Sequence, residues 1–95
     1  MIPKVVQVKP NLDFTVHVYF ADGIIKLYDM NSFLNKGVFQ QISNDDDFIS
    51  KCTVMNGTLA WDLSGKFDSS NCIDIDPIAI YSNGVSVSDP LEDVG

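Results

Sequence analysis

The chain has 95 residues, 45% of them hydrophobic, with six lysines, no arginine and thirteen acidic side chains, for a net charge of -7. That length builds one core and leaves no room for a second folding unit of ordinary size. The acidity disfavours nucleic acid and anionic lipid as direct partners: Lys4, Lys9, Lys26, Lys36, Lys51 and Lys66 stand singly and offer no cluster to neutralise phosphates, so a basic protein is the easier fit.

Val5, Val6 and Val8 form a short apolar strand candidate, closed by the polar cluster Lys9 to Asp13. Phe14, Val16, Val18 and Phe20 then alternate with Thr15, His17 and Tyr19, which predicts a strand with one buried face. Asp22-Gly23 follows at once. Read as a two-residue type I′ loop, it starts a hairpin that pairs Phe20 with Ile25, Val18 with Leu27 and His17 with Tyr28. Asp29 to Asn31 ends the third strand, and Phe33-Leu34 with Gly37 suggests one short helical turn, after which Val38, Phe39 and Ile42 continue at near-helical spacing.

Ser43-Asn44 before Asp45-Asp46-Asp47 reads as an N-cap and an acidic first turn, because negative side chains there meet unpaired amides and the positive end of the helix dipole. Phe48, Ile49 and Cys52 supply the apolar stripe. Asn56-Gly57 marks a second hairpin, joining strands near 53–55 and 58–61. From Asp62 to Asn71 the chain is rich in Gly, Ser and Asp and reads as a loop. Asp76-Pro77 places a cap and an N1 proline ahead of a two-turn helix that Asn83-Gly84 stops, with Ile78, Ile80 and Tyr81 as its contacts. The whole predicts an α+β fold: a small antiparallel sheet, made of an N-terminal three-stranded meander plus a second hairpin, with two or three short helices. Residues 1–84 make a single domain, and 85–95 an acidic flexible tail.

The catalytic inventory is poor. His17 is the one histidine, and a cross-strand pair with Tyr28 explains it better than a base role. Neither a P-loop nor a dinucleotide fingerprint is present, and Cys52 and Cys72 lack the paired spacing of a zinc site. No catalytic residue, cofactor or metal ligand is therefore assigned, and the protein is expected not to be an enzyme. The alternative is a small-ligand or divalent-metal-binding domain that uses the Asp-rich segment 62–76, with Asp62, Asp68, Asn71, Asp74 and Asp76 as oxygen donors, although EF-hand spacing is missing and Asp76 is better used as a cap. Met1-Ile2-Pro3-Lys4 opens without a signal-peptide pattern, and no run approaches the roughly 18 apolar residues of a membrane span. A cytoplasmic protein that does not cross a bilayer is expected, with both thiols reduced and the acceptor-like Asn56-Gly57-Thr58 unmodified.

Ile2-Pro3 with Val5, Phe20-x-Asp22-Gly23, Asp29, Leu34, Gly37-Val38-Phe39, Phe48, Gly57-Thr58, Trp61, and Asp74-Ile75-Asp76-Pro77 with Tyr81 occur in an order that resembles a bacterial family, domain of unknown function 2442 (DUF2442), over about residues 1 to 84. The stretch Asp62 to Cys72 is longer than the short link of that family. The resemblance implies a compact α+β fold without an established activity, and an antitoxin-like role beside a small toxin-like protein. A protein-binding module with a toxin-like, basic partner is thus the leading expectation, and homodimerisation through exposed strand edges is a further one. Trp61, like Phe33, Phe39 and Phe48, reads first as a core aromatic, and it is the one of them expected at a contact surface if any is exposed; with Phe67, His17, Tyr19 and Tyr28 it makes up the expected contact residues.

Overall fold

The computed structural model describes residues 2–63 and 72–89, and the chain folds into two antiparallel sheets with short helices between them. Strands β1 (Val5–Pro10), β2 (Thr15–Phe20) and β3 (Ile25–Asp29) form the expected meander. A 3-10 helix (Gly37–Ile42) and helix α1 (Asp45–Ser50) lead to the second hairpin, β4 (Cys52–Met55) and β5 (Thr58–Asp62). Strand β6 (Cys72–Asp74), helix α2 (Pro77–Asn83) and strand β7 (Val85–Ser86) complete the described chain. The sheet orders are β1-β2-β3-β7 and β4-β5-β6. Among the described residues no helix is long and apolar enough to cross a membrane.

Several local signals act as the physics predicts. The Asn44 side chain accepts from the Asp47 amide at 2.9 Å and caps α1, whose first turn carries Asp45, Asp46 and Asp47. Asp76 caps α2 through the Ile78 amide at 2.9 Å, with Pro77 in the first turn. Asn56 and Gly57 take φ of 56° and 74°, so β4 and β5 turn through a two-residue loop with Met55 opposite Thr58. At Gly84 the requirement is space: a Cβ there would lie 2.8 Å from the Ile80 carbonyl oxygen and 2.9 Å from Lys26 Cβ. That close approach lets the chain leave α2 directly onto the β3 edge.

The first hairpin departs from expectation by one residue. Its pairs are Tyr19 with Ile25, Val18 with Lys26, His17 with Leu27 and Val16 with Tyr28. The Phe20 amide donates to the Ile24 carbonyl, and Gly23 alone in the loop Ala21-Asp22-Gly23 has positive φ, at 91°. A three-residue loop ending in a left-handed glycine has replaced the two-residue type I′ turn. Asp22 explains the choice: its carboxylate accepts from the Ile24 amide at 2.9 Å and from the Tyr81 hydroxyl at 2.6 Å, locking the loop to α2. One residue of slip exchanges the two faces of β3. Tyr28 therefore turns inward and stacks on Phe33, while Ile25 and Leu27 join His17 and Tyr19 on the opposite face.

Two strands extend the expected set. Cys72–Asp74, expected to be loop, pairs with β5, and Val85–Ser86, expected to be the start of the tail, pairs with β3 through Lys26–Ser86 and Leu27–Val85. Both are too short to show a periodicity.

One core lies between the sheets. Val16, Val18, Phe20 and Tyr28 from the meander meet Leu59, Trp61 and Ile73 from the second sheet, with Met30, Ile42, Phe48 and Ile80 between them. Every residue of β5 is buried, so that strand has both faces covered. Trp61 is its anchor: the indole is fully enclosed, its Nε1–H donates to the Phe48 carbonyl at 2.9 Å, and the ring lies 5.3 Å from that of Phe48. Phe14 also meets the Phe48 ring edge-on at 5.1 Å, and it holds a φ of 65° that non-glycine residues rarely adopt.

Candidate interaction surface

The alternation in β2 gives the meander two different faces. Val16, Val18 and Phe20 point into the core, which leaves Thr15, His17 and Tyr19 on the outer face. Register then places Lys9 and Gln7 of β1 beside His17 and Tyr19, and Leu27 and Ile25 of β3 on their other side. A bulge between Val5 and Gln7 keeps Val5 in the core and leaves Val6 53% exposed. From β7 the chain crosses this face: the Val87 amide donates to the Ile25 carbonyl at 3.0 Å, and the Tyr19 hydroxyl donates to the Asp89 carboxylate at 3.0 Å. Val6, Gln7, Tyr19, Ile25, Val87 and Asp89 thereby line a shallow groove of about 470 Å³.

The far end of the face is polar. Asn11, in the β1–β2 turn, accepts from Lys9 Nζ at 3.3 Å and directs its amide nitrogen to Thr15 Oγ1 at 3.1 Å and to His17 Nδ1 at 3.0 Å. Thr15 in turn donates to Asp13 at 2.6 Å, which holds that carboxyl below the usual carboxylate range. Partial burial, followed by the charge of Lys9, pushes the His17 pKa down. The arrangement offers oriented donors and acceptors next to apolar surface, and among the described residues the side-chain hydrogen bond of His17 runs to Asn11.

Two of the expected contact residues, His17 and Tyr19, are brought together here. Trp61 is corrected: full burial removes it from any surface, because a domain this small uses its largest ring to close the core. Tyr28 is corrected as well, turned inward by the one-residue slip and only 7% exposed. Phe67 lies outside the described residues, as do Asp68 and Asn71 of the Asp-rich segment. Of the remaining oxygen donors proposed there, Asp62 is buried at the end of β5, Asp74 is exposed and Asp76 is engaged as the α2 cap. Among the described residues no group of three or more His, Cys, Asp or Glu could hold a metal ion.

Cys52 and Cys72 lie on β4 and β6, the strands that flank β5, and no disulfide joins them. Two strand spacings separate them by about 9–10 Å, beyond the reach of a disulfide. Burial pushes the Cys52 thiol up to about 12, which makes it a poor nucleophile.

Sequence reasoning missed the contributions of Val6, Ile25, Leu27 and the 87–89 crossing. The signal for β3 was present in its own alternation, but only the correct register assigns it to a face. In comparison with known proteins, a family model described as "Protein of unknown function (DUF2442)" matches residues 5–86. The comparisons with curated proteins and with solved structures find no match.

Proposed function

The chain belongs to the DUF2442 family, and from that premise we propose that it is a non-catalytic protein-binding module whose contact surface is the outer face of the four-stranded sheet. The observation that carries the reading is the composition of that face: exposed Val6 and half-buried Ile25 and Leu27 stand beside the directional groups of Tyr19 and His17. A sheet that has already closed its core with one face keeps such apolar surface on the other at a cost in solubility, and a partner relieves it. The partner is a basic, toxin-like protein. A net charge of -7 supports this through complementary potential, which speeds encounter and disfavours acidic competitors. The role that follows is the antitoxin-like half of a cytoplasmic pair.

The test is titration calorimetry with the product of the neighbouring gene, using Tyr19→Ala and Val6→Asp as surface variants. The reading expects a complex tighter than roughly 10 μM, weakened at least about tenfold by either substitution. No binding at that level, or full affinity in both variants, would remove it.

A further inference from the structure

His17 is the one histidine of the chain, and a bare cross-strand pair does not account for its surroundings. The hydrogen-bond roles around it are fixed from outside. Lys9 has only donors, so Asn11 must turn its oxygen toward Nζ, 3.3 Å away. Thr15 supplies a second, independent constraint. Its hydroxyl proton is committed to Asp13 at 2.6 Å, so its oxygen is an acceptor and faces the Asn11 amide group at 3.1 Å. Both constraints orient Asn11 the same way and leave its second amide hydrogen directed at His17 Nδ1, 3.0 Å away. A ring nitrogen that accepts carries no proton. Neutral His17 is thereby held in one tautomer, with its proton on Nε2.

We infer that Lys9, Asn11 and Thr15 make His17 a pH-sensitive switch: the neutral ring completes the network, and the imidazolium breaks it and releases the β1–β2 turn. A second proton must enter at Nδ1, where it meets the Asn11 amide hydrogens. Rotating the Asn11 amide would satisfy the imidazolium but would turn its NH2 donors toward the Lys9 ammonium and its oxygen toward the acceptor Thr15 Oγ1. The charged groups that act on the ring are Lys9 from β1, which opposes the added charge, and Asp13 from the turn and Asp89 from the 87–89 crossing, which favour it. Partial burial and Lys9 prevail in the folded state. The turn itself is poised to open, because Phe14 at its end holds a left-handed φ of 65°. Its closure depends on the Asn11 amide donating to Thr15 and the Phe14 amide donating back to Asn11.

The sign follows from proton uptake. The unfolded chain binds the His17 proton more readily than the folded one, so stability rises with pH through this transition. It is complete above the ordinary value of 6.5 and is lost as pH falls below it. The loss sets in near 6.5, above the onset at 3.8 for the Asp13 carboxyl, so the two effects begin at different pH. The inference concerns the free chain and stands whether or not the outer face binds a partner.

Nitrogen-15 NMR on the imidazole, combined with amide exchange protection between pH 5 and 7.5, tests it. The neutral ring is expected to show a protonated Nε2 and a bare Nδ1, with a titration midpoint below that of free histidine. Asn11→Asp, which offers a charged acceptor to Nδ1–H, raises the midpoint, whereas a residue that only packs there would leave it unchanged. Protection of the 11–15 amides falls at pH 5 relative to β5, and His17→Gln abolishes that pH dependence. A protonated Nδ1 at neutral pH, a midpoint insensitive to Asn11→Asp, or turn protection independent of His17 would each overturn the inference.

Discussion

The four-stranded and three-stranded sheets share one core but divide its tasks. In the first, β2 buries every second residue and leaves the alternate set on a second face. In the second, β5 is covered on both sides from Thr58 to Asp62, and Trp61 locks it to α1. A strand with two buried faces has no side chain to offer a partner, while a strand with one buried face keeps a free row at two-residue spacing. The difference teaches that the exposed face proposed for recognition and the core that gives stability are separable in this domain, and that the largest aromatic ring belongs to the core.

Trp61→Ala would challenge that division most severely. The substitution empties the centre of the core and leaves the Phe48 carbonyl without its donor, so a loss of about 3–5 kcal/mol is expected by urea denaturation. A domain of this size has on the order of 5 kcal/mol or somewhat more in all, so the variant should keep a small margin and unfold at a much lower urea concentration. A variant that keeps its midpoint would show that the second sheet does not anchor the fold. Gly84→Ala comes next, because the new Cβ would meet the Ile80 carbonyl at 2.8 Å where α2 hands the chain to β7. A loss of about 1–3 kcal/mol, with loosening of β7 in amide exchange, is the expected result.

A smaller effect distinguishes backbone strain from ring packing at Phe14. Phe14→Ala removes the ring contact with Phe48 and keeps the left-handed φ, whereas Phe14→Gly removes both the ring and the strain. Both variants are less stable than the parent, but the glycine variant exceeds the alanine variant by about 1 kcal/mol in thermal or urea unfolding. The reverse order would mean that Phe14 is not held at positive φ in solution.

Acid should touch the first sheet through its turns. Thr15 holds the Asp13 pKa below 3.8, and the Tyr81 hydroxyl does the same for Asp22. Carboxylates depressed in the folded state contribute stability above their ordinary value, and that contribution is lost as pH falls through the depressed one. Below pH 3.8, therefore, the 11–15 and 21–24 turns are expected to lose protection ahead of the Asn56-Gly57 turn, which carries no carboxylate. Asp47, held down by Asn44 and then by Lys51, adds a parallel loss at the start of α1.

Much of this architecture was legible from short-range chemistry. Asn44 before three aspartates, Asp76 before Pro77, and Asn56-Gly57 each have one low-energy use, and each is used that way. Asp22-Gly23 has two. A two-residue and a three-residue loop both place glycine at positive φ, and the choice between them rests on Tyr81, 59 residues away. That long-range hydrogen bond set the register of β3, and with it the inward turn of Tyr28 and the outward position of Ile25 and Leu27. The proposed contact surface was half legible for the same reason: His17 and Tyr19 follow from β2 alone, while their neighbours follow from pairing. The core reading of Trp61 holds, and its conditional contact role fails because the polar segment beside it does not expose a strand that is buried on both faces.

Chemical-shift mapping of the labelled chain during titration with the proposed basic partner tests the division of labour most directly. The account predicts that the perturbed amides and methyls gather at Val6, Gln7, His17, Tyr19, Ile25 and Val87, with β4, β5 and β6 quiet. Perturbations centred on the second sheet, with the outer face of the first unchanged, would contradict it.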